Sequence, residues 1–140
     1  MDILKELKER FSSVINSVQA HSSRRIYLGI DPARVGDVAG HLFGEAGFRF
    51  ITASGVDLKD SVEVLYHFSD DTSGGVLTLR VSLDPVNPEV ESLKEVIPRA
   101  EPAEQEIYEL MGVSFRGNDT PGNLILGRGY RGRKFPLRKK

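Results

Sequence analysis

The chain has 140 residues, which suffices for one domain with a substantial core and makes two domains unexpected. With 39% hydrophobic and 28% charged residues, the composition is that of an ordinary globular protein, so wholesale disorder is not expected. Cysteine is absent, which excludes disulfides, thiolate zinc sites, cysteine nucleophiles and cysteine-bound iron–sulfur clusters.

The net charge of −1 conceals an acidic body and a basic C-terminal tail. The segment from Arg116 to Lys140 has eight Lys or Arg residues and one acid, Asp119, whereas the preceding residues have 11 bases and 19 acids. This separation of charge predicts an acidic partner, a nucleic acid, or a tail that folds back onto its own body. The charge pattern leaves these three alternatives open.

The N-terminal segment argues against export and membrane insertion. MDILKELKERF carries charges where a signal peptide would have its apolar centre. No apolar run approaches the roughly 20 residues that a membrane-spanning helix needs. The sequence therefore predicts a soluble chain in the cytoplasm.

The first third of the chain predicts a helix, a strand and a second helix. Apolar residues at spacings of three and four predict an amphipathic helix to about Gln19, with core packing as its default role and docking in a partner's groove as the alternative. These apolar residues are Leu4, Leu7, Phe11, Val14 and Val18. The branched and aromatic residues of 24–30 predict a strand. Asp31 and Pro32 then predict the N-cap and first turn of a helix that ends before Gly47.

The middle of the chain predicts three strands. Residues 48–54 form a short run of apolar and branched side chains, and residues 61–69 and 76–83 alternate between apolar and polar side chains. Turn-forming residues at 70–75 join the last two strands into a hairpin with one polar face. The sheet is therefore expected to be at least partly antiparallel.

The region before the tail predicts two small helical segments. A short helical turn precedes Pro98, and a helix begins at Pro102 and ends at Gly112. The apolar face of this helix consists of Ala103, Ile107, Leu110 and Met111, and the polar remainder holds Glu104, Glu106 and Glu109. The predicted fold class is α+β, with a mixed, largely antiparallel sheet of about four strands packed with helices. We expect one domain at 1–117 and an extended basic tail at 118–140.

The three glutamates of the last helix have two interpretations. Glu104, Glu106 and Glu109 could supply general acid–base chemistry or bind a cation. Negative charge near a helix N-terminus is also favoured by the helix dipole, which explains a solvated acidic face without any chemistry. A surface that meets Arg or Lys of another protein is the favoured interpretation.

The histidines do not have the pattern of a metal site. His21, His41 and His67 lack the mutual spacing with which a helix or turn chelates one metal. His41 lies among apolar residues of a predicted helix, and His67 lies on a predicted strand. Both are expected to be structural.

The glycine- and arginine-rich tail contains two motifs that resemble ligand-binding sequences. Gly127, Gly129 and Gly132 match G-x-G-x-x-G, but a nucleotide site needs a helix after the motif, and the eight residues that follow include Pro136. The segment GRGYRGR, with Tyr130, is similar to Arg-Gly segments that stack on single-stranded nucleic acid. An extended tail whose arginines bind the carboxylates of a partner is the simpler interpretation.

The run E-Q-E-I-Y-E-L-M-G-V-S-F-R-G at 104–117 resembles the signature of the respiratory complex I 30 kDa subunit family. The resemblance continues through Leu-Ile-Leu at 124–126, through Gly132 and through the final FPLRK. The departures from the family pattern are Gln105, Met111 and Asn118, where Arg, Phe and His are usual, and Gly122, Asn123 and Leu124 in place of Leu-Arg-Arg. These departures resemble the shorter homologues of membrane-bound nickel–iron hydrogenases, formate hydrogenlyase and related ferredoxin-linked complexes.

The resemblance implies a cofactor-free subunit of the peripheral arm of an NADH:quinone oxidoreductase-like or ferredoxin-linked nickel–iron hydrogenase complex, on the cytoplasmic side of the membrane. Its partners would be the large subunit, of the 49 kDa or hydrogenase type, and the small iron–sulfur subunit. Iron–sulfur clusters, a nickel–iron centre or quinone would belong to those partners. The residues that the resemblance assigns to the partner interface are Glu104, Glu106, Glu109, Gly112, Phe115, Gly117, Arg131, Arg133, Pro136 and Arg138.

The sequence thus predicts an assembly subunit that is not catalytic alone and has no catalytic, cofactor-binding or metal-binding residue of its own. The chain would associate with the membrane only through the complex, and no nucleic acid partner is expected. Two alternatives come from other classes. A small RNA-binding protein that uses the basic tail would lose binding steeply with salt, and a free-standing acid–base enzyme at the glutamate cluster would show turnover by the isolated chain.

Overall fold

The computed structural model describes residues 2–118, in which helices flank a mixed sheet of five strands and a second sheet has two. The helices and strands are α1 (Asp2–Arg10), β1 (Ile15–Ser22), β2 (Arg25–Ile30), α2 (Val35–Gly40), β3 (Arg49–Leu58), β4 (Ser61–Asp70), β5 (Gly75–Leu83), β6 (Glu89–Glu91), α3 (Ala100–Met111) and β7 (Ser114–Arg116). The strand order in the large sheet is β1-β2-β5-β4-β3, in which β2 and β5 are parallel and the other neighbours are antiparallel. The predicted α+β class and largely antiparallel sheet are confirmed, with one more strand in the large sheet than the predicted four.

The alternation along the central strands places the core on one face of the large sheet. Tyr66 of β4 and Leu79 of β5 are fully buried there, in one cluster with Leu7 of α1, Val38 of α2 and Ile107 of α3. All three helices therefore contribute side chains to the same core. Among residues 2–118, no helix combines the length and the apolar character that crossing a membrane requires.

The other face of the large sheet carries polar side chains that bond to one another. Nη2 of Arg80 lies 3.0 Å from each carboxylate oxygen of Glu63 on the neighbouring strand. The ring of His67 lies between the hydroxyls of Ser54 and Thr78, at 3.2 and 2.9 Å. Partial burial lowers the pKa of His67 below its ordinary value of 6.5. His67 has the structural position that was expected of it.

The prediction that the first helix runs to about Gln19 is wrong. Helix α1 ends at Arg10, and Val18 lies on β1, opposite Leu28 of β2. The apolar spacing continues past the helix because Val14 is buried in the connecting turn, where its N–H donates to the carbonyl of Phe11 at 2.9 Å. Pairing with a strand further along the chain therefore overrides a helical spacing that is only a local signal.

The second predicted helix is present as three consecutive helical segments. The Asp31 carboxylate accepts a hydrogen bond from the N–H of Ala33 at 3.0 Å, and a 3-10 turn at Pro32–Arg34 leads into α2. A π-helical turn at His41–Glu45 completes the region before Gly47, which has a φ of +74°. The predicted N-cap and the predicted end of the helix are confirmed.

His41 ties α1 to this second helical region. One ring nitrogen bonds to the carboxylate of Glu6 on α1, and Nδ1 lies 2.9 Å from Oε2 of Glu45. Arg10 also binds Glu45, at 3.0 Å. Hydrogen bonds from His41 and Arg10 hold the pKa of the Glu45 carboxyl below its ordinary value. The buried His41 is thus structural, as predicted from its apolar neighbours.

The C-terminal part of the described chain is a strand–helix–strand unit. Strands β6 and β7 are parallel, and α3 lies between them in the sequence. A single turn between β6 and α3 is closed by the N–H of Ile97 and the carbonyl of Leu93, at 2.7 Å. Helix α3 begins at Ala100, two residues before the predicted start at Pro102, and it ends as predicted at Gly112, which has a φ of +77°.

Candidate partner interface at the signature helix

Helix α3 lies close against β3 because a glycine stands at the crossing point. A Cβ atom added to Gly55 would lie 2.5 Å from Sδ of Met111 and 3.3 Å from Cγ2 of Ile107. A larger residue at this position would force the side chains of Met111 and Ile107 to shift. Helix α3, called the signature helix because it contains the start of the 104–117 signature, therefore packs directly on the backbone of β3.

Glu104 is the centre of a buried hydrogen-bond network. Its carboxylate is fully buried, and Oε1 accepts from the hydroxyl of Ser92 at 2.5 Å and from Nδ2 of Asn118 at 3.0 Å. Oε2 accepts from the backbone N–H of Leu93 at 2.7 Å. Three donors therefore converge on one buried carboxylate, which joins α3 to the residues after β6 and to Asn118, two residues beyond β7.

Burial shifts the pKa values of Glu104 and of Tyr66. Removal from water raises the pKa of the Glu104 carboxyl above its ordinary value of 4.5, although the bonds from Ser92, Leu93 and Asn118 act in the opposite direction. The hydroxyl of Tyr66 is also buried, and it forms no hydrogen bond within residues 2–118. Burial, together with the Glu104 charge, raises the pKa of Tyr66.

The interpretation of the three glutamates of α3 as a solvated face is wrong for two of them, and the favoured interpretation as a surface that meets a partner stays a prediction. Glu104 has no exposed surface and Glu109 is only 3% exposed, whereas Glu106 is exposed. Helical spacing predicts which residues share a face, but not which sequence-distant groups cover that face. Here the donors to Glu104 come from the β6–α3 connection and from beyond β7.

Three further predicted interface residues, Gly112, Phe115 and Gly117, lie at the end of α3 and on or just after β7. Phe115 of β7 is buried opposite Val90 of β6, and Gly112 and Gly117 both adopt positive φ at the ends of α3 and β7. These positions maintain the local backbone and core. Arg131, Arg133, Pro136 and Arg138 lie outside the described residues.

A groove lies beside the first turns of α3. The groove has a volume of about 380 Å³ and lies between β3 and α3. Its lining residues are Phe50, Ile51, Thr52, Arg99, Pro102, Ala103 and Glu106. One cation and one carboxylate in a partly apolar lining suit a protein surface better than a small charged ligand. Of the predicted interface residues, Glu106 is the one that lines this groove.

The described residues do not bring together a metal site. Across residues 2–118, no group of three or more His, Asp or Glu side chains is arranged to hold a metal ion.

The sequence interpretation missed Ser92 as a partner of Glu104 and treated Asn118 only as a departure from the family pattern. No strand was predicted directly before this helix, so no signal in the sequence indicated that Ser92 faces α3.

Comparison with known proteins identifies relatives over most of the chain. Residues 28–140 match the family described as "Respiratory-chain NADH dehydrogenase, 30 Kd subunit". A subunit of the F(420)H(2) dehydrogenase from Methanosarcina mazei is 31% identical over 140 residues, which cover 98% of this chain and 88% of the relative. A subunit of the NADH-quinone oxidoreductase from Roseiflexus sp. is 29% identical over 91% of this chain and 74% of its own length.

Solved structures show the same fold. A chain in the structure of the membrane-bound sulfane sulfur reductase, an archaeal respiratory membrane complex, superposes with a TM-score of 0.81 at 23% identity, over 98% of this chain and 82% of that one. The trypsin-resistant fragment of Nqo5 superposes with a TM-score of 0.72 at 17% identity, over 86% of this chain and 100% of the fragment. The sequence matches, supported by the common fold, show that this chain belongs to the 30 kDa subunit family of the respiratory-chain NADH dehydrogenase.

Proposed function

We propose that this chain is a docking subunit of a membrane-associated oxidoreductase complex and that it holds no redox group of its own. The family match over residues 28–140 is the observation that carries the proposal, because it includes the basic tail as well as the signature helix. The reaction chemistry would belong to neighbouring subunits, and this chain would contribute their placement.

The Glu104 network supports a division of roles between the signature helix and the tail. A fully buried carboxylate cannot contact a partner, so Glu104 stabilises the surface from inside. Asn118, the residue at which the predicted tail begins, is hydrogen-bonded to that carboxylate. The basic residues beyond it would therefore extend from a fixed point on the domain.

The charges indicate what the tail would bind. Residues 119–140 contain seven Lys or Arg residues and one acid, whereas residues 1–118 contain 12 bases and 19 acids. Arginine binds carboxylates with paired hydrogen bonds, and complementary charge fixes orientation at an interface. We propose that the tail binds an acidic surface of the large subunit, of the 49 kDa or hydrogenase type. The small iron–sulfur subunit would be the second neighbour, on the cytoplasmic side of the membrane.

Co-expression with the large subunit from the same gene cluster tests this proposal. The tagged full-length chain would be compared with a chain that ends after Asn118 and with a full-length variant carrying Arg131→Gln, Arg133→Gln and Arg138→Gln. We expect both altered chains to capture at least about tenfold less large subunit. Capture by the full-length chain should also weaken as salt rises.

A matched control removes the same number of cations from the body. Lys5, Lys8 and Lys59 are exposed, and their replacement by Gln should leave capture unchanged. Equal capture by the full-length and truncated chains would refute docking through the tail. Failure of every chain to capture the large subunit would refute the subunit proposal itself. RNA that copurifies with the full-length chain and is lost on truncation would instead favour an RNA-binding tail.

A further inference from the structure

Helix α1 is attached to the rest of the domain through side chains. Leu7 of the helix is fully buried, and Phe11, which follows the helix, is also buried. Within residues 2–118, no backbone hydrogen bond joins α1 to a strand of the large sheet. The position of such a helix therefore depends on a small number of side-chain contacts.

His41 lies where α1 meets the second helical region. Its ring is only 5% exposed and packs edge-on against Phe11, with ring centroids 5.7 Å apart. Nε2 bonds to the carboxylate of Glu6 on α1, and Nδ1 lies 2.9 Å from Oε2 of Glu45. Nη1 of Arg10 reaches the same oxygen of Glu45 at 3.0 Å. Each nitrogen of a buried ring thus faces a carboxylate, and the two carboxylates come from different helical segments.

These two contacts specify the charge on the ring. Exposed carboxylates are ionised at neutral pH and only accept hydrogen bonds, so each ring nitrogen has to donate one. Neutral imidazole has a single N–H and would point the lone pair of its other nitrogen at a carboxylate oxygen. The imidazolium has two N–H groups and a positive charge that attracts both carboxylates. In agreement, the hydrogen bond from His41 is the first reason that the pKa of Glu45 lies below its ordinary value of 4.5.

The bonded groups alternate in charge from Glu6 through His41 and Glu45 to Arg10, and these four side chains form the His41 cluster. Helix α1 supplies Glu6 and Arg10, and the π-helical turn supplies the other two. The outer three side chains are about half exposed, whereas the ring is buried. Loss of one ring proton would leave a carboxylate facing a lone pair, so that the contact between the two helical segments would become unfavourable.

We propose that the doubly protonated ring of His41 holds the N-terminal helix on the domain and that loss of one ring proton releases the helix. Below the pH at which the ring titrates, the His41 cluster is complete. As pH rises through that titration, α1 leaves the core locally and Leu7 becomes exposed, while the sheet stays folded. This inference concerns contacts within this chain and does not depend on docking to another subunit.

His67 provides an internal comparison because its partners have different chemistry. Its ring lies between the hydroxyls of Ser54 and Thr78. A hydroxyl can donate as well as accept, so a neutral ring satisfies both contacts. Titration of His67 is therefore not expected to change the attachment of α1.

NMR and hydrogen exchange on the full-length chain test the proposal together. The ring nitrogens would be followed by ¹⁵N NMR from about pH 5 to 9, a range that spans the titration of histidine. We expect protection of the α1 amides, corrected for intrinsic exchange rates, to fall at least about tenfold over the pH interval in which the His41 ring becomes neutral. Amides of β4 should keep their protection.

Glu6→Gln and Glu9→Gln form a matched pair of variants on α1. The amide of a glutamine at position 6 can donate to an unprotonated ring nitrogen or accept from a protonated one, so protection of α1 should lose its pH dependence. Glu9 is exposed and lies outside the His41 cluster, so its replacement should preserve that dependence. Protection of α1 that does not follow the His41 ring, an equal loss of protection in β4, or the same behaviour in both variants would each overturn the proposal.

Discussion

Nδ2 of Asn118 lies 3.0 Å from the carboxylate of Glu104, so the last residue that the structure describes is hydrogen-bonded to a buried side chain of the signature helix. The same oxygen accepts from Ser92, and the other oxygen accepts from the backbone of Leu93. One side chain thus holds together three segments that are distant in the sequence. The acidic residue at the start of the signature is a structural anchor in the folded chain.

Replacement of Glu104 should be destabilising in a graded way. Glu104→Ala leaves three donors without an acceptor and opens a cavity, so we expect a loss of about 3–4 kcal/mol. Glu104→Gln can still accept from Leu93 and donate to Ser92 and to a flipped Asn118 amide, so a loss of about 1–2 kcal/mol is expected. Urea unfolding of the isolated chain measures both. Equal losses for the two variants would show that the hydrogen bonds do not stabilise the fold.

The raised pKa of Glu104 predicts a particular pH dependence. Between the ordinary value of 4.5 and the higher value in the folded protein, the native state binds more protons than the unfolded state. The contribution of Glu104 to stability is therefore fully present below pH 4.5 and decreases as pH rises through the folded pKa. Unfolding free energies measured from pH 4 to 8 for the natural chain and Glu104→Gln should show this decrease only in the natural chain.

Gly55→Ala should disturb the packing of α3 on β3. The new methyl group would lie 2.5 Å from Met111 and 3.3 Å from Ile107, so we expect a loss of about 1–3 kcal/mol. Gly44→Ala is the matched control, because nothing lies within 4 Å of a Cβ atom at that helical position. Thermal unfolding should show a lower Tm for the first variant and an unchanged or higher Tm for the control.

Gly112→Ala should weaken the end of the signature helix. Its φ of +77° is a left-handed conformation that costs L-residues about 1 kcal/mol, and its N–H closes the helix on the carbonyl of Tyr108 at 2.8 Å. Gly112→Asn should cost less, since asparagine tolerates this conformation. A chemical denaturation series compares them. The reverse order of stabilities would contradict the assignment of a left-handed cap.

His67 should titrate below its ordinary pKa of 6.5, because partial burial disfavours the charged ring. An unfolded chain then binds more protons than the native chain between the two values, so stability falls as pH decreases through that window. NMR titration of the His67 ring measures the shift directly. A measured pKa at or above 6.5 would show that Ser54 and Thr78 compensate for the lost solvent.

The alternation of apolar side chains was sufficient to predict β4 and β5. Both strands present their apolar residues to one buried face, so the signal is local and repeats along each strand. For β1, the spacing of apolar residues gave a wrong prediction. Val14 and Val18 continue the helical spacing of α1, and only pairing with β2 makes the segment a strand. Short strands β6 and β7 were missed since three residues carry too little pattern.

The position of Glu104 could not be predicted from the helix alone. Its spacing assigns it to a face, but its burial depends on Ser92 and Asn118, which the fold brings to it from either end of the strand–helix–strand unit. Gly112 was predictable, because a glycine after a helical run indicates a left-handed cap without reference to the rest of the fold. Sequence reasoning thus succeeds here where the determining contacts are local.

The parallel pairing of β2 with β5 has a consequence for how the chain reaches its native state. Arg25 lies opposite Val76, and α2, β3 and β4 are all synthesised between them. Closing this long loop costs chain entropy before any contact compensates for it, whereas β3, β4 and β5 follow one another through short turns. We therefore expect the β3–β4–β5 meander to form first and the N-terminal hairpin to join last. A nascent chain would meanwhile expose the unpaired side of β5, which is the segment that a chaperone would need to shield.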